Sequence, residues 1–238
     1  MQYSQTTTKG KCNMNKINRY CSTALTVLPA IIVILICAHA QAQQTAMVDG
    51  EAKPYKLEEA KYEKGLKGEA IRITGEKGYA EIEKSATIPQ PESFTIEILV
   101  KLDSLPAGGT IAARRSPEAG NIWQLYTHAT GVVFFLAYGK GNAIALDVRD
   151  AGAMQVGRWH HVCVSVEKNG KVRFYLDGKQ TSEGTFSSPL SQVEAPIRIG
   201  GLGYTGKPLQ GLLSDFRFYP GPVSPNRLEE IKTQVGSQ

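Results

Sequence analysis

The stretch that decides the fold is Trp159–Glu167 (WHHVCVSVE), followed by Lys171–Gly178 (KVRFYLDG). The two strand-like runs flank Asn169–Gly170. An Asn-Gly pair in that position is typical of a two-residue hairpin turn, in which both turn residues take positive φ. Asp177–Gly178 predicts a further turn directly after the second run. The sequence therefore predicts an antiparallel hairpin in this part of the chain.

A regular alternation upstream predicts a longer strand. Apolar side chains recur at every second position from Phe94 to Leu102, with the polar residues Thr95, Glu97 and Lys101 between them. Because side chains of a strand point alternately to its two faces, this pattern predicts a half-buried strand. Further strands are predicted between turn residues at 110–115, 121–127, 131–138, 143–149, 196–200 and 211–219.

One helix is predicted near the end of the chain. Ser224 is a suitable N-cap, Pro225 fits the first helical position, and Leu228 and Ile231 have an apolar helical spacing. Many short strands with a single helix predict an all-β sandwich or barrel, and 238 residues are compatible with one such domain.

Several segments, taken in order, resemble laminin G-like, concanavalin A-type domains. The region Gln155–Gly178 is similar to the family pattern G-x-W-H-H-V-A-V-T followed by L-Y-V-D-G. Ser93–Glu97 resembles the family's F-T-I-E strand, and the end of the pattern is matched by Ile197–Gly200, Gly211–Tyr219 and Leu228–Ile231. Together the matches span about residues 65–234.

The resemblance implies two antiparallel sheets packed face to face in a concanavalin A-like jelly-roll sandwich. It also implies binding of carbohydrates, glycoproteins or other extracellular proteins, often with calcium, although some relatives are glycoside hydrolases. Fold alone does not choose among these activities. We interpret residues 67–238 as this domain and residues 43–66, which are polar and rich in charge, as a linker.

The positive charge of the chain is concentrated at its beginning. Four of the 27 basic residues lie in residues 1–42, which contain no acid; they are Lys9, Lys11, Lys16 and Arg19. The remaining 23 basic residues are balanced by 22 acidic residues, and no dense basic stripe follows. The sequence therefore predicts no nucleic-acid partner.

Residues 1–42 have the three zones of a secretory signal peptide. A basic stretch ends at Arg19, an apolar run covers residues 24–38, and small-x-small triplets follow from Ala38 to Ala42. Two alternatives are an uncleaved anchor, which usually needs about 20 apolar residues, and a lipoprotein acylated at Cys37. Soluble export is favoured. It predicts a secreted, extracellular or periplasmic protein without stable membrane insertion after cleavage.

The acidic residues give little support to a catalytic function. A glycoside hydrolase needs two carboxyl groups about 5–10 Å apart in one cleft, and hydrolase relatives carry an E-x-D-x-(x)-E string on one strand. The sequence lacks that string, and Glu81 and Glu83 are the nearest acid pair at strand spacing. We therefore expect no catalytic residues. The alternatives are a glycoside hydrolase or lyase and a cell-surface structural or assembly protein.

His160 and His161 suggest a metal site, but consecutive strand residues point to opposite faces. His161 and Cys163 share a face, yet no third group that would orient a Cys–His nucleophile pair is evident. The favoured interpretation is that these side chains pack and form hydrogen bonds inside the fold. Asp215 matches an Asp of the family pattern and is interpreted as structural, with Arg217 as a candidate partner.

Four aromatic residues are candidates for binding a carbohydrate, which requires an exposed ring with polar groups around it. Tyr204 lies in the Gly-rich segment 200–206, and Trp123, Tyr126 and Tyr138 lie in predicted strands. For Trp123, at the centre of its strand, a core position is favoured over a binding role. Of these, Tyr204 is the most interesting, because its loop is too rich in glycine to pack on itself.

Two acidic residues are candidates for a rim site. Asp147 and Asp150 lie together at a predicted strand end, and calcium prefers such hard oxygen ligands. No metal ligands are assigned on this basis. The sequence-based prediction is a secreted, non-catalytic module that binds a carbohydrate or an extracellular protein through its rim loops.

Overall fold

The computed structural model describes residues 45–105, 109–201 and 208–236, and for residues 149–152 it describes the backbone alone. The predicted leader, residues 1–42, lies outside these ranges. Within them, no helix is both long enough and apolar enough to cross a bilayer.

The described part of the chain is almost entirely β, as predicted, with one helix near its end. The strands are β1 (Thr45–Val48), β2 (Glu51–Glu58), β3 (Ala60–Lys64), β4 (Glu69–Ile73), β5 (Tyr79–Ile82), β6 (Phe94–Leu102), β7 (Thr110–Ser116), β8 (Gly120–Thr127), β9 (Val132–Tyr138), β10 (Ile144–Ala153), β11 (Trp159–Val166), β12 (Lys171–Leu176), β13 (Lys179–Thr185), β14 (Ile197–Gly200) and β15 (Gly211–Pro220). The helix α1 covers Pro225–Gly236. It begins where predicted, and the Arg227 N–H donates to Ser224 Oγ at 3.2 Å.

The strands follow one continuous hydrogen-bonded order, β10-β9-β8-β7-β14-β5-β2-β1-β15-β6-β11-β12-β13, with β4 and then β3 added beside β15. We call β10, β9, β8, β7, β14 and β5 the front half, and β15, β6, β11, β12 and β13 the back half. The two halves are joined because β2 pairs with β5 on one side and with β1 on the other, and β1 runs parallel to β15.

The predicted division into two antiparallel sheets is therefore only partly confirmed. The all-β, concanavalin A-like architecture is present, but the sheet is nearly closed and barrel-like. At the two ends of the strand order, β10 and β13 lie against each other. A Cβ at Gly184 of β13 would meet Leu146 and Val148 of β10 at 3.0 and 2.8 Å.

The prediction of a linker over residues 43–66 is wrong from residue 45 onward. β1, β2 and β3 lie in this segment. Its few apolar side chains alternate with charged ones, and Ala46, Val48 and Tyr55 are buried in the core. The high charge of the segment reflects the solvated face of these strands, which the composition alone does not distinguish from a linker.

Inward-facing side chains from both halves form one core. Trp123 of the front half stacks on Phe218 of the back half, with 6.2 Å between ring centroids, and Phe94 lies 5.7 Å from Phe218. All three rings are fully buried. Burial stabilises each by about 2–3 kcal/mol, so these contacts hold the two halves together.

The predicted hairpin of β11 and β12 is present, but its turn differs from the prediction. The Glu167 N–H donates to Lys171 O, and the Gly170 N–H donates to Glu167 O. The loop thus has three residues, and of Asn169–Gly170 only the glycine takes positive φ, as such a loop requires. The two-residue turn occurs instead at Asp177–Gly178, where φ is 53° and 74°.

The helix α1 covers the outer face of the back half. Ile231 and Val235 are buried against a patch formed by Leu99, Trp159 and Leu212. As a result β6 is buried on both faces along most of its length. The prediction of a half-buried strand is therefore wrong. The alternating pattern does not reveal that a helix, distant in sequence, covers the polar face of β6.

Glu97 is the fully buried carboxylate beneath α1. It accepts hydrogen bonds from Arg227 Nη2 at 2.7 Å and from Tyr219 Oη at 2.6 Å, and it lies 3.1 Å from His161 Nε2. Burial alone would raise the pKa of Glu97, but the hydrogen bonds of His161 and Arg227 outweigh it and lower the pKa from 4.5 to about 2. The carboxylate is therefore charged at neutral pH and holds the helix to the sheet.

We predict that Glu97→Gln lowers the free energy of unfolding by about 3 kcal/mol at pH 7, because Arg227 loses its buried partner. A lowered pKa stabilises the fold above pH 4.5, and this stabilisation is lost as the pH falls toward 2. Urea unfolding between pH 7 and pH 2.5 should show a larger loss of stability in the parent than in the variant, in which the lowered pKa of Asp177 still contributes a loss. Glu92→Gln, at an exposed position, is the matched control, and equal stabilities of the two variants at pH 7 would contradict the prediction.

Candidate ligand-binding site

A cleft lies at one end of the sheet, and we call it the rim cleft. Three connections form it, at residues 90–92, 168–170 and 186–192. Its volume of about 720 Å³ falls within the range of small-molecule sites. The lining residues are Gln90, Pro91, Glu92, Lys168, Asn169, Gly170, Phe186, Ser187, Ser188, Pro189, Leu190 and Gln192.

Backbone hydrogen bonds hold the long loop of the rim cleft in place. The Phe186 N–H donates to Gly170 O at 3.0 Å, which joins this loop to the turn of the central hairpin. The Ser187 N–H donates to Ala145 O, and the Ser191 N–H donates to Tyr138 O at 2.7 Å. The loop is therefore attached to both halves of the fold, so the cleft between the connections has a defined shape.

The side chain of Gln90 has a fixed orientation at the base of the rim cleft. Its Oε1 accepts hydrogen bonds from Arg114 Nη1 at 3.2 Å and from Trp123 Nε1 at 3.3 Å. Arg114 also donates to the carbonyl oxygens of Ile88 and Ala195. Burial lowers the pKa of Arg114 to about 10, so it remains charged at neutral pH. One buried guanidinium thus joins the segment before β6, the strand β7 and the segment before β14.

The lining of the rim cleft combines polar and apolar side chains and carries little net charge. Amides and hydroxyls supply its polar groups, and the half-buried ring of Phe186, with Pro91, Pro189 and Leu190, supplies its apolar surface. Lys168 and Glu92 are mostly exposed and form an ion pair at 3.4 Å. Such a surface can form hydrogen bonds with the hydroxyl groups of a neutral ligand, both as donor and as acceptor. Its apolar part can pack against the apolar face of the same ligand.

The prediction that Trp123 contributes to ligand binding is wrong. Its ring is fully buried and stacks on Phe218, because the side chain points to the core side of β8. Its polar Nε1–H serves the rim cleft only indirectly, through the hydrogen bond to Gln90.

Tyr126, Tyr138 and Asp147 lie together on the outer face of the front half. Tyr126 and Tyr138 are half-buried and Asp147 is exposed. Tyr126 stacks on Phe134, with ring centroids 5.1 Å apart. The structure thus brings three of the predicted residues to one surface, but this surface is distinct from the rim cleft. Tyr204 and the side chain of Asp150 lie outside the described residues, and their roles stay predictions.

No group of three or more His, Cys, Asp or Glu side chains that could hold a metal occurs among the described residues. Asn142 lies five positions before Asp147 in the sequence. Its Oδ1 accepts hydrogen bonds from the backbone N–H and the side-chain Nδ2 of Asn121 at 3.1 and 2.8 Å. The calcium hypothesis for Asp147 and Asp150 stays a prediction, because it depends on a side chain that is not described.

The structural interpretation of the two histidines is confirmed. The Gln155 N–H donates to His160 Nε2 at 2.9 Å, so the ring proton lies on Nδ1, 2.9 Å from Asp177 Oδ2. His161 points to the other face and contacts Glu97. Burial raises the pKa of the Cys163 thiol well above its ordinary value, which disfavours a nucleophile there.

Asp215 also has the structural role predicted for it. It lies at an irregularity in β15 with φ of 49°. Its Oδ1 accepts from Arg217 Nη2 and Nε at 3.0 and 3.2 Å. The ion pair thus fixes the local bend of the strand.

The residues that line the rim cleft were missed by the sequence analysis. Gln90, Phe186 and Gln192 lie in irregular connections without a motif, and residues far apart in sequence meet there. One sequence feature could have indicated the position of the cleft. The turn predicted at Asn169–Gly170 forms one of its walls.

Several solved structures have a similar fold. The binding domain of Paraclostridial Mosquitocidal Protein 1 has a TM-score of 0.60 and 14% identity, over 79% of this chain and 49% of that domain. Domain 4 of the extracellular arabinanase AbnA from Geobacillus stearothermophilus, in complex with arabinotriose, has a TM-score of 0.56 and 17% identity, over 79% of this chain and 86% of the domain. The receptor-binding domain of botulinum neurotoxin type G has a TM-score of 0.55 and 9% identity, over 78% and 49%.

At these identities the likeness shows the fold alone, and the chain spans about half the length of the two toxin domains. No protein with a curated description matches the sequence. The profile of the concanavalin A-like lectin/glucanases superfamily matches residues 74–229, which is more than half of the chain. The chain therefore belongs to the concanavalin A-like lectin/glucanase superfamily.

Proposed function

We propose that this protein is an exported, non-catalytic binding module that recognises a carbohydrate through its rim cleft. The observation that carries the proposal is the cleft of about 720 Å³ with the fixed amide of Gln90 at its base. Its Oε1 is committed to Arg114 and Trp123, and its Nε2 donates to Pro91 O at 3.3 Å, so the second Nε2 hydrogen is the group left for a ligand. A fixed amide costs little conformational entropy when it forms a hydrogen bond with a ligand.

The chemistry of the lining favours a neutral sugar. Gln192 and Asn169 present amide groups, Ser188 presents a hydroxyl, and Phe186 presents an apolar ring. Sugar hydroxyls pair with the first three groups, and the C–H face of a sugar packs on the ring. Since Lys168 and Glu92 neutralise each other, the cleft offers no net attraction for an ion.

One structural neighbour gives a specific probe. The arabinanase domain of similar fold was solved in complex with arabinotriose. The likeness in fold does not transfer this ligand to the present chain, but arabinotriose is a neutral oligosaccharide of the class that the rim cleft suits.

The acidic residues favour binding over turnover. Glu92 is the one carboxylate in the described lining of the rim cleft, whereas a glycoside hydrolase requires two. Of the acid pair considered from the sequence, Glu81 forms an ion pair with Arg198 at 2.8 Å. Glu97 is fully buried beneath α1. Glu92, Glu81 and Glu97 thus each have a structural partner.

A protein partner is the second candidate, since the similar toxin domains are described as binding and receptor-binding domains. The surface favours it less. The exposed large apolar residues Leu105 and Val156 lie at one end of the strands and Ile144 at the other, so they form no continuous patch of the kind that marks a protein interface.

We predict that Gln192→Ala and Phe186→Ala each weaken binding of a neutral oligosaccharide by about tenfold, because each removes about 1–2 kcal/mol of contact with the sugar. Arabinotriose is the first probe by calorimetry, followed by a glycan array for other neutral chains. Gln180→Ala is the matched control. This amide is exposed near the start of β13, remote from the rim cleft, and its loss should leave the affinity within about twofold.

An array on which no neutral glycan binds would contradict the proposal, as would equal losses from Gln192→Ala and Gln180→Ala. Thermal unfolding of each variant shows whether Phe186→Ala acts through the site or through stability. Neither Gln180 nor Gln192 is part of the core, so this pair gives the clearer comparison.

We predict that the full chain, expressed in a secreting host, is cleaved after Ala40 or Ala42 and released. The reason is the short apolar run followed by small residues. Mass spectrometry of the protein in the medium or periplasm would identify the new N-terminus. Recovery of the intact chain in the membrane fraction would favour the anchor, and acylation at Cys37 would favour the lipoprotein.

A further inference from the structure

Asn169, in the turn of the central hairpin, is the only asparagine of the chain that is followed by glycine. Glycine has no Cβ, so its backbone nitrogen is open to approach from the preceding side chain. The turn lies at the tip of the hairpin, where Asn169 is exposed and Gly170 is half-buried. An asparagine in this setting can react with its own backbone, because the nitrogen of the next residue is an internal nucleophile for the side-chain amide carbon.

The side chain of Asn169 is folded forward along the chain. Its Oδ1 accepts a hydrogen bond at 3.0 Å from the N–H of Lys171, two residues ahead, and this contact spans the backbone of Gly170. The same N–H faces the oxygen on which negative charge develops when the amide carbon is attacked. A backbone donor at that position stabilises the charge, so the reacting carbon is both held near the nucleophile and polarised.

One hydrogen bond restrains the nucleophile. The Gly170 N–H donates to Glu167 O at 2.9 Å, which is the bond that closes the three-residue loop. The nitrogen can attack only while this bond is open. Such an opening is local, because it lies at an exposed hairpin tip and leaves the pairing of β11 with β12 intact. The folded loop therefore slows the reaction without preventing it.

We propose that Asn169 is a site of spontaneous deamidation and that the reaction alters the rim cleft over the lifetime of the protein; the second part rests on the proposed function of that cleft. The Gly170 nitrogen attacks Cγ of Asn169. Its proton passes through solvent to Nδ2, which leaves as ammonia when the Cγ–Nδ2 bond breaks, and a five-membered succinimide remains. Water then cleaves one of the two ring C–N bonds. Cleavage at Cγ gives aspartate, and cleavage at the main-chain carbonyl carbon gives isoaspartate.

Aspartate at this position changes the chemistry of the cleft. The Nδ2 of Asn169 is the part of its amide left for a ligand, because Oδ1 is committed to Lys171. Deamidation replaces this donor by an oxygen that only accepts hydrogen bonds. It also adds a negative charge to a lining in which Lys168 and Glu92 neutralise each other. A cleft suited to neutral ligands thus becomes anionic.

Isoaspartate changes the shape of the cleft instead. Its main chain runs through the former side chain, which adds one methylene group before Gly170. Gly170 O anchors the loop over residues 186–192, because it accepts a hydrogen bond from the Phe186 N–H at 3.0 Å. A longer turn moves this acceptor. We therefore expect the loop to lose one attachment while the bond from the Ser191 N–H to Tyr138 O is kept.

Peptide mapping of the full chain by mass spectrometry tests the reaction. The folded protein is incubated at mildly alkaline pH, which favours the deprotonated nucleophile, and conversion of each asparagine is followed with time. We expect Asn169 to convert at least about tenfold faster than Asn142, which is also exposed but precedes an alanine. Asn169→Gln keeps the amide and should not convert, because its longer side chain would have to close a six-membered ring. Equal rates at Asn169 and Asn142 overturn the proposal.

Hydrogen exchange tests the effect on the cleft without any ligand. The aged protein separates from the parent by ion exchange because it carries an additional negative charge, and Asn169→Asp supplies the aspartate form alone. In the isoaspartate fraction we expect the Phe186 amide to exchange at least about tenfold faster than in Asn169→Asp. The Ser191 amide should exchange equally in both and is the control. Equal exchange of the Phe186 amide in both would overturn the predicted loosening of the loop.

Binding measurements separate this proposal from the proposed function. We expect Asn169→Asp to weaken the binding of neutral glycans about tenfold, since a donor is lost and a charge is added. If neutral glycans bind Asn169→Asp as well as they bind the parent, the reaction does not alter recognition and the second part of the proposal is wrong. If they do not bind the unmodified protein, the proposed function fails, whereas conversion of Asn169 is judged by mass spectrometry alone.

Discussion

The buried contact between Glu97 and Arg227 determines which surfaces of this protein are free. It fixes α1 against the back half, where Tyr219 and His161 complete the coordination of the carboxylate. The outer face of β6 and β11 is therefore covered, and these two strands are buried on both sides. Recognition is accordingly expected at the rim, where aromatic and polar side chains remain accessible.

Arg114 has a comparable role at the rim. A charge in a core is tolerated only when its donors are satisfied, and this guanidinium is satisfied by two carbonyl oxygens and the amide of Gln90. Two of the acceptors belong to the segment before β6 and the third to the segment before β14. The desolvation that such a group costs is thus offset by hydrogen bonds that also position these two connections against β7, and the same bonds orient the amide at the base of the rim cleft.

Local patterns in the sequence predicted the features that depend on neighbouring residues. The hairpin, the N-cap at Ser224 and the family resemblance are examples, and the last is confirmed by the superfamily match. Features that depend on distant residues were not predictable. The burial of Glu97 depends on its hydrogen bonds with Arg227, which lies 130 positions later in the sequence. The charged segment after residue 45 forms strands because β2 pairs with strands of both halves. Trp123 was kept as a ligand candidate beside the favoured core position, because the facing of a single strand residue is not fixed by its neighbours; the structure places it in the core.

The close approach of β10 and β13 has a consequence for self-association. An unpaired strand edge is a template on which another chain can add, and these two strands are the ends of the hydrogen-bonded order. Because Gly184 has no side chain, Leu146 and Val148 reach across and each edge shields the other. On β3, the outermost strand beside β4, the charged residues Lys61, Glu63 and Lys64 discourage such addition instead. Both edges thus disfavour the addition of a further strand, and polymer formation by strand exchange would first require this seam to open.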